Sequence, residues 1–155
     1  MKTKSEAIKD YLVFISHSVK DRWIAHQMAN LIEQKGKRYG ITTFFDEKDI
    51  FGGDSIPEVI RNNIQSCNEL IVLLSNYSID RPWVLVEIGV AWGHNKRVVP
   101  IIDKITLEEV PNVIKQCKAV DLNDFDKYLD ELISRVGSLV INMKSIRVNP
   151  VLISI

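Results

Sequence analysis

Short apolar runs alternate with stretches of helical periodicity along this chain, and the alternation predicts an α/β fold. Tyr11–Ser16 (YLVFIS) is an apolar, aromatic-rich strand. Ser18 to Asp21 then form a capping-box pattern, in which Ser18 can cap a helix carrying Ile24, Met28, Leu31 and Ile32 on one face. That helix is expected to end by Gly36–Gly40, and Ile41–Phe45 (ITTFF) gives a second strand. Residues 46–54 (DEKDIFGGD) form a charged loop. Ser55 restarts a helix, answered by Glu58, that passes through Ile60 and Ile64 to about Ser66. A third strand, Glu69–Leu74, leads through a polar turn to Pro82, which opens a third helix. Arg97–Ile102 is a fourth strand, in which Pro100 suggests a terminal or bulged position. Glu108–Gln116 reads as a short helix, Ala119–Asp121 as a brief fifth strand, and Asn123–Met143 as a long amphipathic helix. Strand–helix alternation of this kind implies a parallel sheet covered on both faces.

Composition narrows the picture. The 155 residues suit one domain, with a core over about 11–143 and a short apolar tail over 144–155. Lys+Arg and Asp+Glu both total 20, so no overall field recruits nucleic acid or anionic lipid. With only Cys67 and Cys117, and no His/Cys ligand spacing, neither a disulfide scaffold nor a metal site is expected. No charge-free run reaches membrane-spanning length and no apolar signal core opens the chain, so the expectation is a cytoplasmic protein that binds no membrane.

Several chemistries drop out. The chain lacks G-x-x-x-x-G-K-[ST], and no G-x-G-x-x-G follows the first strand. A phospho-receiver would need acids where Ser16-His17-Ser18 and Ser75-Asn76 stand, and there is no G-x-S-x-G elbow. What remains is a set of polar residues at strand ends, the place where open parallel sheets bind ligands. Trp83 and Glu87, four apart on the third helix, stack an indole and a carboxylate on one face near the helix start.

FISHS (Phe14–Ser18), FFDEKDIFGGDSI (Phe44–Ile56), LIVLLSNYS (Leu70–Ser78), WVLVE (Trp83–Glu87) and RVVPII (Arg97–Ile102) occur in that order. Together they resemble the TIR (Toll/interleukin-1 receptor homology) domain, particularly its bacterial, NAD-cleaving branch. The resemblance runs from about Tyr11 to Asp121. It implies a flavodoxin-like three-layer sandwich around a five-stranded parallel sheet. It also implies that Glu87 is the catalytic acid, that residues 46–55 gate the site, and that the domain self-associates through this loop. NAD⁺ would be a substrate, and no separate cofactor is expected. Phe51 stands where some NAD-cleaving members carry an acid, and Ser18 where some animal members carry a base.

The chemistry suits a single acid. Nicotinamide leaves a cationic pyridinium as a neutral base, so it needs no general acid, unlike an ordinary glycoside. A fixed carboxylate would stabilise the oxocarbenium charge that develops on the ribose. The candidate site is therefore Glu87 as catalyst, with Trp83, Phe14, Ser16, His17, Asp46 and Ser75 around the substrate. Phe51, Gly52, Gly53 and Asp54 are the candidates for the gating and self-association loop.

Each residue has a plainer reading. Glu87 could be an exposed acid favourable to the helix dipole, and Trp83 could fill core beside Val86, Val90 and Ala91. Ser18 has a sufficient role as a cap, and Gly52-Gly53 could simply permit positive φ. Trp23 and Trp92 read as packing. Two other functions stand beside the enzyme: a TIR–TIR interaction module without turnover, and a deoxyribosyltransferase-like enzyme attacking through its glutamate.

Overall fold

A computed structural model describes residues 10–45 and 56–147. The five strands form one wholly parallel sheet in the order β2-β1-β3-β4-β5: β1 Tyr11–Ser16, β2 Ile41–Phe44, β3 Glu69–Leu74, β4 Arg97–Ile102 and β5 Val120–Asp121. Four α-helices alternate with them: α1 Arg22–Gly36, α2 Ile56–Ser66, α3 Pro82–Gly93 and α4 Phe125–Arg147. The α/β expectation with a central five-stranded parallel sheet is met, in the flavodoxin-like order. The chain reverses its direction of winding between β1 and β3, and such a switch point opens a crevice at the carboxyl ends of the strands.

Two separate cores flank the sheet, and the two-residue period of each strand divides its side chains between them. Val13 and Ile15 of β1, with Ile71 and Leu73 of β3, pack under α1 and α4. Phe14, Leu70, Val72 and Leu74 pack under α2 and α3. All six residues of β3 are buried, as a central strand covered on both faces requires. Each buried Leu, Ile or Val contributes roughly 1.5–3 kcal/mol of transfer free energy.

Glycine is needed where α1 turns onto β2. A Cβ on Gly36 would sit 2.6 Å from Ile41 Cβ, and Gly40 holds φ +68°.

Several sequence expectations change. Ser18 caps a 3-10 turn over Val19–Asp21, accepting from Lys20 N at 3.3 Å, and α1 starts only at Arg22. Leu31 is exposed, the inward face of α1 being Ala25, Met28, Ala29 and Ile32. Pro100 lies inside β4 with unbroken one-to-one register to β3, and the β5 ladder begins one residue later at Ile101. The helix expected over Glu108–Gln116 is instead two 3-10 turns, Leu107–Glu109 and Asn112–Ile114, separated by Pro111, whose ring cannot continue a helix. α4 runs on to Arg147, so the first residues expected to be tail are helical. The expected Ser55 cap and the rest of the tail lie outside the described residues.

Candidate functional site

The carboxyl end of β1 sets the site. Phe14 and Ser16 share a face by alternation, so the last residue of the strand projects toward α3 at the switch point. There Ser16 Oγ donates a short hydrogen bond to Glu87 Oε2, and both residues are buried. Pro82 at the first position of α3 fixes the start of that helix, and Glu87 follows in its second turn. Val84, Ile88 and Ala91 anchor the same helix in the second core. Glu87 is thus 4% exposed, which removes the reading of a solvated acid at a helix start. A carboxylate taken from water at the end of a parallel sheet carries a desolvation cost that a purely structural helix position does not need.

Trp83, one turn before Glu87, is half-buried and packs against the second core. Val86 is exposed instead of facing the sheet. Phe14 is wholly buried, with its ring edge-on to Phe44 at 4.7 Å between centroids, so it is core and has no open face for a ligand.

Other candidates fall on the opposite face of the sheet. His17 meets Phe45 edge-on at 5.4 Å, and Phe45 packs against the α1/α4 core. The His17 Nδ1 also lies 3.1 Å from Ile15 O. Ser75 Oγ donates to Asp21 Oδ2 at 2.5 Å and accepts from Tyr77 N at 3.1 Å, while Ser75 N donates to Ser78 Oγ at 2.8 Å. Both Ser75 and Asp21 are buried. The structure therefore joins Ser16 to Glu87, with Trp83 one helical turn away, and joins Ser75 to Asp21 across the sheet, with His17 against Phe45 on that side. Asp46, Phe51, Gly52, Gly53 and Asp54 lie outside the described residues, although β2 delivers the chain into that segment at this same end.

Trp23 and Trp92 are not packing residues: Trp23 is 73% exposed and Trp92 is exposed as well. The sequence reading also missed two buried acids. Asp21 passed as part of a helix-cap pattern. Glu69 passed as the first residue of an apolar strand, yet it is buried at the amino end of the sheet within a network from three elements. Its oxygens accept from Tyr11 and Tyr128 hydroxyls, and Arg135 Nη2 donates to both, at 3.2 and 3.1 Å. Burial first, and then the Glu69 charge, hold the Tyr11 and Tyr128 phenols well above their ordinary range.

No group of three or more His, Cys, Asp or Glu arranged to hold a metal occurs among the described residues. Within them, no helix is long and apolar enough to cross a membrane.

A doubly covered parallel sheet in the 2-1-3-4-5 order, with a buried acid at its switch point, defines the class. The TIR domain family model matches residues 13–133, and the chain belongs to that family. It is 25% identical over 145 residues to a probable 2′ cyclic ADP-D-ribose synthase of Methanobrevibacter olleyae, covering 88% of this chain and 41% of that protein. It is 27% identical over 149 residues to the 2′ cyclic ADP-D-ribose synthase AbTIR of Acinetobacter baumannii, covering 90% of this chain and 53% of that protein. The chain thus spans about half, or less, of the length of these relatives. Among solved structures, the TIR domain of the Toll-related receptor TRR-2 from Hydra magnipapillata superposes with TM-score 0.60 at 23% identity, over 81% of this chain and 97% of that one.

Proposed function

We propose that this chain cleaves the nicotinamide–ribose bond of NAD⁺, with Glu87 as the catalytic residue. The observation that carries the reading is the buried Glu87 carboxylate, bonded to Ser16 at the switch point of the sheet. The names of the two synthases support NAD⁺ as the substrate class.

In the proposed step, the bond between ribose C1′ and the pyridinium nitrogen breaks, and its electron pair neutralises the departing nicotinamide. Glu87 stabilises the oxocarbenium charge left on the sugar. Desolvation strengthens that attraction, because the effective dielectric around a buried carboxylate is far below that of water. Water, or a hydroxyl of the same nucleotide, then forms the new bond to C1′ and gives up its proton, for which the carboxylate is the nearby acceptor. The first route yields ADP-ribose and the second a cyclic isomer. Ser16 positions Glu87, and Trp83 offers a flat wall one helical turn away. The buried acid must be reached by local movement at the carboxyl end, so turnover is expected to rise steeply with protein concentration as copies of the domain assemble. By family resemblance, the setting is cytoplasmic immune or antiphage signalling.

Incubation of the wild type and Glu87→Ala with NAD⁺ and with NADP⁺, followed by product separation, tests the reading. Wild type should release nicotinamide, and the variant should lose about 10³-fold or more while remaining folded. Equal release by both would reject Glu87 as catalyst. No release by wild type even under forced clustering would leave the interaction-module reading in its place.

A further inference from the structure

A cleft lies at the pole of the sheet opposite Glu87, against the amino ends of β1 and β4, with a volume of about 610 Å³. That is within the range of small-molecule sites, roughly 300–1,000 Å³. Its walls come from four places in the sequence: the start of β1, the turn before β3, the turn before β4, and one face of α4.

Charge selects the kind of ligand. Arg97 and Arg135 both line the cleft, and the acid behind them is Glu69, which Arg135 already engages. Arg97 is exposed and has no ion-pair partner among the described residues. One guanidinium charge is therefore left over, facing a cleft whose walls contain no acid. Arg135 Nη2 is spent on Glu69 and its Nε is buried, so Arg97 carries the guanidinium left open to a ligand. Guanidinium groups in this condition favour a phosphate, which offers several acceptor oxygens at once.

The remaining wall selects the body of the ligand. Asn68 uses its amide oxygen on Leu12 N at 2.8 Å, so its amide N–H groups are left to donate. Asn95, held at φ 55° in the turn before β4, and Asn142 on α4 add two more amides. Ser134 and Ser138 complete a lining in which Leu139 is the one aliphatic side chain. Amides and hydroxyls around a cationic end suit a polyhydroxylated body better than an acyl chain.

We propose that this amino-end cleft is a binding site for a phosphorylated sugar, with the phosphate at Arg97 and the hydroxyls at the three asparagines. The proposal is independent of the Glu87 reading, because the two sites sit at opposite ends of the strands.

The test is a nuclear magnetic resonance titration of the labelled chain with ribose 5-phosphate, with ribose and inorganic phosphate as comparisons. Ribose 5-phosphate should give saturable shifts at the Asn68, Asn95 and Asn142 side-chain amides, and ribose should bind at least about 10-fold more weakly. Arg97→Ala, at an exposed position, should keep the fold and weaken the sugar phosphate by about 10-fold, with partial recovery in Arg97→Lys. Shifts confined to Ser16 and the α3 residues, no saturable shift at the three amides, or a titration unchanged by Arg97→Ala would each overturn it.

Discussion

The two ends of the sheet handle a buried glutamate in different ways. At the amino end, Glu69 has both oxygens bound within the protein, by two phenols and by the guanidinium of Arg135. At the carboxyl end, Glu87 accepts from the neutral hydroxyl of Ser16, at the switch point of the 2-1-3-4-5 order. Burial costs both carboxylates their hydration. The first is offset by a cation and hydrogen bonds, which is the arrangement of a structural acid. The second sits where a parallel sheet meets ligands, and a cationic sugar transition state is the species it would stabilise there. Burial alone therefore does not distinguish the two acids; their position in the topology does.

Removing the amino-end acid should have the largest effect on stability. Glu69→Ala strands Arg135 and two phenols, and should cost about 3–5 kcal/mol in urea unfolding, in line with breaking a buried pair from one side. A loss under 1 kcal/mol would erase the contrast between the two ends.

Alkaline pH should act on the amino end next. Tyr11 and Tyr128 are held above their ordinary value of 10.0, by burial first and then by Glu69. Burial likewise pushes the Cys67 thiol from 9.0 up to about 11. Groups whose folded pKa is raised contribute stability that is complete below the unfolded value and lost as pH rises through the folded one. Stability should thus decline from about pH 9 upward, and Tyr128→Phe should flatten the part of the decline above pH 10. A stability curve that rises over that interval would contradict the network.

At the carboxyl end, Ser16→Ala should cost about 1.5–3 kcal/mol of stability, less than Glu69→Ala. Its effect should appear in turnover, reduced by up to about 100-fold through loss of the carboxylate's orientation. Stability and nicotinamide release measured on one preparation would sharpen the contrast, because a structural role for Glu87 would move the first and spare the second.

The strands, the parallel sheet and the helix that carries Glu87 were legible because each rests on local pattern: apolar runs of strand length and Pro82 at a helix start. Glu69 was not, because its partners Tyr128 and Arg135 lie 59 and 66 residues away, and a lone acid opening an apolar run carries no local mark of them. Asp21 was hidden for the same reason. The sequence suggests only that it closes the capping-box pattern begun by Ser18, while its carboxylate is turned to Ser75, 54 residues on. His17 and Ser75 looked like neighbours of Glu87 because all lie near strand ends; which face of the sheet each belongs to follows from the pleat and from contacts with α1. Trp23 shows the reverse error, since an indole on an amphipathic helix reads as core, yet here it is exposed.

The most direct test is the structure of the chain bound to an NAD⁺ analogue with a carbocyclic ring in place of the nicotinamide ribose, whose glycosidic bond cannot break. The account predicts the Glu87 carboxylate within about 3.2 Å of the ring hydroxyls, with Ser16 still in contact. The analogue seated elsewhere, with Glu87 sealed in the core beneath α3, would contradict it.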